Sequence, residues 1–258
     1  MADAPEKNQL SPDAQAAQKA KIGAEKALQE PPRVIAGLPA GPRAKVAGKT
    51  KVSRGMAIAK VSVFVASFYP LARLGILGAM NDLGANPIEF ITRSTGLWAL
   101  VFLCITLAIT PARRLTGSNN LIRFRRMLGL FCFFYATLHL TTYVWFDQWF
   151  AWGAIAKDIA KRPFILVGFS GFILLLALAA TSPKIAARKL GRNWGRLHKL
   201  IYAVAILALL HFWWMKAGKH DFKLPIIYGA ILGALLLFRV AWWAKSRAQS
   251  TRLMARAK

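Results

Sequence analysis

Four histidines, His139, His198, His211 and His220, carry most of the chemistry that this 258-residue sequence offers. An imidazole can hydrogen-bond a neighbouring helix, relay a proton, or bind a metal through a neutral ring nitrogen. His220 lies in a short polar loop and is read as solvated. The other three fall in long apolar runs, where an ionisable side chain is costly and marks function by default. The two cysteines, Cys104 and Cys132, also sit in apolar runs. They form no C-x-x-C, C-x-x-C-H or zinc spacing. Disulfide scaffolds, zinc sites and covalently attached haem are excluded on those motif grounds, and both thiols are read as packing residues.

The elements that must hold these histidines are membrane spans. Hydrophobic residues make up 56% of the chain, above the roughly 45–50% of a soluble domain. Nearly all of the surplus lies after Met56, in runs long enough to cross a bilayer. Six spans are expected: A at about 56–74, B at 95–111, C at 127–146, D at 164–182, E at 198–215 and F at 224–244. Span A is the weakest of the six, because it contains Lys60 and Pro70. No alternating ten-residue segments of the β-barrel kind occur. The fold class read from the sequence is therefore all-α, a polytopic six-helix transmembrane bundle. Residues 1–55 hold ten Lys/Arg, five Asp/Glu and six prolines, a composition that predicts a disordered basic tail. No cleavable signal peptide is expected, because the first 30 residues contain no apolar core. Domain boundaries are read as 1–55, 56–245 for the six-span bundle and 246–258 for a short basic tail.

Charge orients the bundle. The chain carries 36 Lys+Arg against 10 Asp+Glu, a net +26. Such a balance can signal nucleic-acid binding, but here the basic residues alternate with the spans. The B–C loop holds Arg113, Arg114, Arg123, Arg125 and Arg126, and the D–E loop holds Lys184, Arg188, Lys189, Arg192, Arg196 and Lys199, neither with an acid. The C-terminal segment is basic too. The remaining loops carry Asp82, Glu89, Asp147, Asp158 and Asp221. All heavily basic segments fall on one face, so the positive-inside rule places both termini in the cytoplasm. Trp145, Trp149, Trp152, Trp213 and Trp214 fall at the outer ends of C and E, as an interfacial aromatic belt would.

Depth then separates the roles of the histidines. On this topology His139 and His211 lie at similar depth on two different spans. A planar macrocycle with two axial ligands needs that arrangement. A proton relay would also want carboxylates, and spans B to F contain none. Haem iron is therefore the expected ligand of His139 and His211. His198 lies about 20 Å inward of His211 and, on an ideal helix, on a different face. It is a third candidate metal ligand, with Arg125 as a candidate cofactor contact for a haem propionate, flavin phosphate or quinone oxygen. The small residues Gly129, Gly168, Ser170 and Gly171 suit close helix packing or admission of a macrocycle.

Three runs carry a family resemblance: LIRFRRMLGLFCFFYATLHL from Leu121, GRNWGRLHKLIYAVAILALLH from Gly191, and GANPIEFITRSTGLWAL from Gly84. Together they closely resemble the haem-binding membrane subunit of the bacterial periplasmic methionine-sulfoxide reductase system, the MsrQ (YedZ) family of the ferric-reductase-like transmembrane group. The resemblance implies b-type haem held by His139, His198 and His211, and a flavin mononucleotide (FMN) cofactor. It implies electron transfer from respiratory quinol to a soluble molybdopterin-containing partner that itself reduces methionine sulfoxide, a repair reaction. It also implies a bacterial inner-membrane location. No G-x-G-x-x-G fingerprint or large domain follows span F, so electrons are expected from a lipid-soluble donor or a separate protein. Glu89 and Arg93 are read as loop anchors or partner contacts. The competing readings are a haem reductase of small metal chelates and a transporter or scaffold without haem.

Overall fold

The computed structural model describes residues 54–218 and 220–256, together with Ala16 and Lys19. The tail expected over 1–55 therefore falls outside the described residues, except for Ala16, Lys19, Arg54 and Gly55. Among the described residues there are helices and turns and no strand, in agreement with the all-α reading. Six helical segments are long and apolar enough to cross a membrane: Arg54–Ala79, Pro87–Thr116, Arg125–Asp147, Pro163–Ala180, Arg192–Ala217 and Lys223–Ser250. They coincide with spans A to F, and the protein is a multi-pass membrane protein.

The first span is two helices, α1 (Arg54–Ala66) and α2 (Tyr69–Ala79), with Pro70 in the first turn of α2. Proline supplies no N–H and suits a helix start, so the span breaks between Ala66 and Tyr69. A break inside apolar surroundings leaves carbonyls without partners, which is costly. The Ser67 carbonyl accepts a hydrogen bond from Tyr135 Oη at 2.8 Å, and Tyr135 is fully buried.

α3 (Pro87–Thr116) begins with Asn86, whose Oδ1 accepts the Glu89 N–H at 3.1 Å. It ends at Gly117, whose φ of 68° is the left-handed closure that glycine adopts without strain. A short turn leads to α4 (Arg125–Thr142), which loosens over Tyr143–Asp147 into a wider π-type turn. A short amphipathic helix, α5 (Trp152–Lys161), follows and leads into α6 (Pro163–Ala180), which opens on Pro163. The fifth span is not one continuous helix. It consists of α7 (Lys184–Leu190) as a lead-in, α8 (Arg192–Leu197), a tight turn over His198–Leu200, and α9 (Ile201–Ala217). Finally α10 (Lys223–Arg256) continues helically well past the apolar stretch that defined span F.

α3 packs along α4, and α6 along α9; α4 meets α6, and α10 closes against α3 and α9. The core between α3 and α4 is Leu103, Leu107, Phe131, Cys132 and Tyr135, with Phe102 stacked on Tyr135 at 5.3 Å. Leu175, Val204, Ala205 and Leu232 join it from the other side. A Cβ on Gly129 would meet the Thr106 methyl at 3.7 Å and one on Gly171 would meet Leu207 Cβ at 3.5 Å, so the neighbouring helices approach closely at both glycines. Ser170 bonds its own helix at Leu166. Large residues such as Leu237, 69% exposed, face outward, as lipid-facing side chains do.

Pro111 lies inside α3 and cannot donate to the Leu107 carbonyl one turn back. Arg239 of α10 fills that vacancy, with Nη2 donating to Leu107 O at 2.6 Å while its guanidinium lies 5.5 Å from the Tyr202 ring. Replacing Arg239 by Met should therefore destabilise the bundle by about 1–3 kcal/mol, the penalty of an unpaired buried carbonyl. In a Pro111→Ala background the backbone N–H returns, and the same replacement should cost less. Thermal unfolding of the four proteins in one detergent measures the difference.

Candidate functional site

Two of the four histidines come together in the interior. The rings of His139 on α4 and His211 on α9 have centres 6.1 Å apart and planes at 73°. Each is fixed by the same device. His139 Nδ1 lies 2.8 Å from the Thr92 carbonyl of α3, and His211 Nδ1 lies 2.7 Å from the Phe164 carbonyl of α6. A carbonyl oxygen only accepts, so both Nδ1 atoms carry the proton and both Nε2 atoms keep a free lone pair. That is the tautomer of a metal-binding histidine, with its second nitrogen anchored to the protein.

The reason the chain folds so closely here is glycine. In a helix the carbonyl of residue i points toward residue i+4. A ring approaching Thr92 O therefore passes over residue 96, and one approaching Phe164 O passes over residue 168. Both are glycine. A Cβ on Gly96 would lie 2.9 Å from His139 Nδ1, and a Cβ on Gly168 would lie 2.6 Å from His211 Nδ1. Backbone helps on the other side too: Thr142 Oγ1 donates to His139 O at 2.8 Å. Thr95 Oγ1 lies 2.9 Å from Thr92 O and holds that turn of α3.

The pair lines a cavity of about 1920 Å3, larger than the roughly 300–1,000 Å3 of ordinary small-molecule pockets. Two imidazoles on opposite sides of one metal, each nitrogen about 2.0–2.1 Å from it, have ring centres roughly 6 Å apart. Among the described residues no group of three or more His, Cys, Asp or Glu side chains could hold an ion. Two protein ligands are what an iron already held by a macrocycle requires. The donor set, the free Nε2 lone pairs and the room between α4, α6 and α9 thus fit haem.

The other candidates are elsewhere. His198 lies in the tight turn before α9. Its ring stacks on Trp194 at 4.0 Å, and its Nδ1 contacts the Trp194 carbonyl at 3.2 Å. Arg125, at the start of α4, is within electrostatic range of it. Neither lines the cavity of His139 and His211. His220 is exposed in the loop before α10. Glu89 and Arg93 form an ion pair one turn apart on α3, at the cavity wall. In the same loop as His220, the Lys216 ammonium 2.6 Å from Asp221 holds that carboxyl below its ordinary range.

The carbonyls of Thr92 and Phe164, and Gly96, were not singled out by sequence reasoning, and Gly168 was read only as a small residue. A signal for them exists. Thr92 precedes His139 by 47 residues, and Phe164 precedes His211 by 47. The two glycines stand at equal spacings from the same histidines. The site is built from two copies of one pattern, each pairing a helix that offers a carbonyl and a glycine one turn apart with a helix that carries a histidine.

Comparison with known proteins identifies the family. Residues 95–209 match the family described as "Ferric reductase like transmembrane component". A relative from Herminiimonas arsenicoxydans, named protein-methionine-sulfoxide reductase heme-binding subunit MsrQ, is 54% identical over 199 residues, covering 77% of this chain and 91% of that protein. Proteins of the same name from Bordetella pertussis and Xanthomonas campestris pv. campestris are 52% and 49% identical. They cover 75% and 78% of this chain, and 94% and 93% of their own lengths. No solved structure matches the chain. With about three quarters of its length aligned to relatives of 49–54% identity, the chain belongs to the MsrQ family of the ferric-reductase-like transmembrane group.

Proposed function

We propose that this chain is a transmembrane b-type haem subunit that passes electrons from the respiratory quinone pool to a periplasmic, molybdopterin-containing methionine-sulfoxide reductase. His139 and His211 would hold the haem iron through their Nε2 atoms. The observation that carries the reading is the pair of imidazoles, 6.1 Å apart, each with Nδ1 tied to a backbone carbonyl and Nε2 free. When bound, haem supplies an iron centre that gains and loses one electron.

The rest is the work of this chain's residues. The Thr92 and Phe164 carbonyls fix the ring tautomers and raise the basicity of the ligating nitrogens. Gly96 and Gly168 allow both rings to reach those carbonyls. The apolar walls from Leu103, Leu175 and Val204 exclude water and lower the local dielectric around the iron. His198, stacked on Trp194 with Arg125 nearby, serves the electron-input side, where a quinone oxygen or the phosphate of FMN would meet the guanidinium. The basic loops support a cytoplasmic place for this side and both termini, and the family resemblance supports a bacterial inner membrane. The partner then repairs oxidised methionines, whose polar sulfoxides disrupt packing. The quinol, flavin and molybdopterin partners rest on the family resemblance alone.

The purified protein should show a six-coordinate, low-spin b-type absorption spectrum. His139→Ala and His211→Ala should each abolish it, while His198→Ala should keep it and slow reduction by a quinol. A protein without bound haem, or a low-spin spectrum that survives loss of both His139 and His211, removes the proposal. Adding chelated iron or the purified partner to reduced protein then tells the routes apart: oxidation by the partner but not by the chelate is expected.

Gly96→Ala and Gly168→Ala should lower haem content and shift the low-spin signal, because each new methyl meets an imidazole well inside contact distance. Gly129→Ala, whose Cβ would meet only a methyl at 3.7 Å, should leave the spectrum unchanged. Haem-to-protein ratios and low-temperature electron paramagnetic resonance on the three variants check this.

A further inference from the structure

The cavity around His139 and His211 has two chemically different ends. Toward the arginine-rich end of the bundle its walls are Leu103, Cys132, Leu175 and Val204, with no charged side chain. Toward the opposite end it is lined by four cations, Arg73, Arg93, Arg162 and Lys216, and two acids, Glu89 and Asp147. The macrocycle proposed for this site is equally two-sided. One edge is hydrocarbon, and the other carries two propionate carboxylates. Burying an unpaired carboxylate in the apolar half would be heavily penalised.

Three of the four cations pair with an acid, two of them within their own segment. Arg93 pairs with Glu89, and Arg162 Nε lies 3.4 Å from Asp158, which also accepts from Tyr143 and Gln148. The other two have donors to spare. Lys216 is only 9% exposed, an unusual position for a lysine. Asp221 takes one of its three N–H groups, at 2.6 Å. No second acceptor for it occurs among the described residues. Arg73, on α2, forms no ion pair among them either.

We propose, resting on the haem reading above, that Lys216 and Arg73 bind the two haem carboxylates, so that the macrocycle sits with its carboxylate edge toward the end of the bundle opposite the arginine-rich loops. The ligand chemistry is a dicarboxylate held by one ammonium and one guanidinium, each charge-assisted. The histidines set the plane of the ring, and these two cations set its rotation within that plane. Sequence reasoning offered Arg125 as a contact for a haem propionate, a flavin phosphate or a quinone oxygen; that residue does not line this cavity.

The test compares haem b with its dimethyl ester, which has the same ring and iron and no carboxylate charge. Full-length protein stripped of haem is reconstituted with each in detergent, and loss of the macrocycle to excess apomyoglobin is timed. Unaltered protein should hold haem roughly tenfold longer than the ester, the effect of one charge-assisted hydrogen bond or more. Lys216→Met and Arg73→Met should each shrink that ratio by shortening retention of haem and not of the ester. Lys216→Arg should keep it. Equal retention of haem and ester by the unaltered protein overturns the proposal, as does a ratio untouched in both Met variants. If a Met variant binds neither macrocycle, the haem-to-ester ratio of the unaltered protein decides alone. Failure of the haem reading looks different: neither compound then gives a low-spin spectrum that depends on His139 and His211.

Discussion

Each site histidine donates its Nδ1 proton to a backbone carbonyl of a neighbouring helix, and much of the bundle exists to keep those two bonds. Each bond fixes which nitrogen remains basic, and together they aim both lone pairs at one space. Neither would form if the partner helix carried a side chain at the crossing point. The two glycines are thus part of the same interaction as the two rings, although they touch no iron. The short distances of 2.7 and 2.8 Å also tie α4 to α3 and α9 to α6, so the site contributes to the packing that holds it.

The same constraint, that no polar group be left unpaired in hydrocarbon, explains features remote from the site. The broken first span spends the hydroxyl of a fully buried tyrosine, Tyr135, on the carbonyl of Ser67. The proline inside α3 draws an arginine from the last helix onto the carbonyl of Leu107. In both cases a break in one helix is repaired by a side chain from another, far along the chain. Those repairs cross-link the bundle at points where apolar packing alone would leave helices free to slide. Asp158 plays a similar part near the α5 turn, gathering Tyr143, Gln148 and Arg162 around one carboxylate.

That turn is also where the backbone is most unusual. Trp149 and Phe150 have φ of 46° and 59°, a region that bulky residues rarely occupy. Both side chains are exposed, as are Trp145 and Trp152. The aromatic belt expected at this end of the bundle is thus displayed on a strained knuckle between α4 and α5, next to the cavity wall formed by Trp152 and Ile155.

Much of this protein is legible in one dimension. Span lengths, the alternation of basic and acidic loops, and the equal depth of His139 and His211 follow from counting residues, because a helix rises by a constant amount and a bilayer has a known thickness. Rotation about a helix is less forgiving. An ideal helix puts His198 on a different face from His211; the span is interrupted at residues 198–200, and the His198 ring stacks on Trp194. Arg125 follows His198 and not the cavity. Counting also cannot find a partner that has no side-chain signature: a carbonyl of Thr92 or Phe164 looks like any other, and Gly96 looks like a helix-weakening residue until an imidazole lies across it. Sequence alone determined how deep each histidine sits. Only tertiary packing decided which way each ring points, because direction depends on how two helices cross, and that is settled by contacts between residues dozens of positions apart.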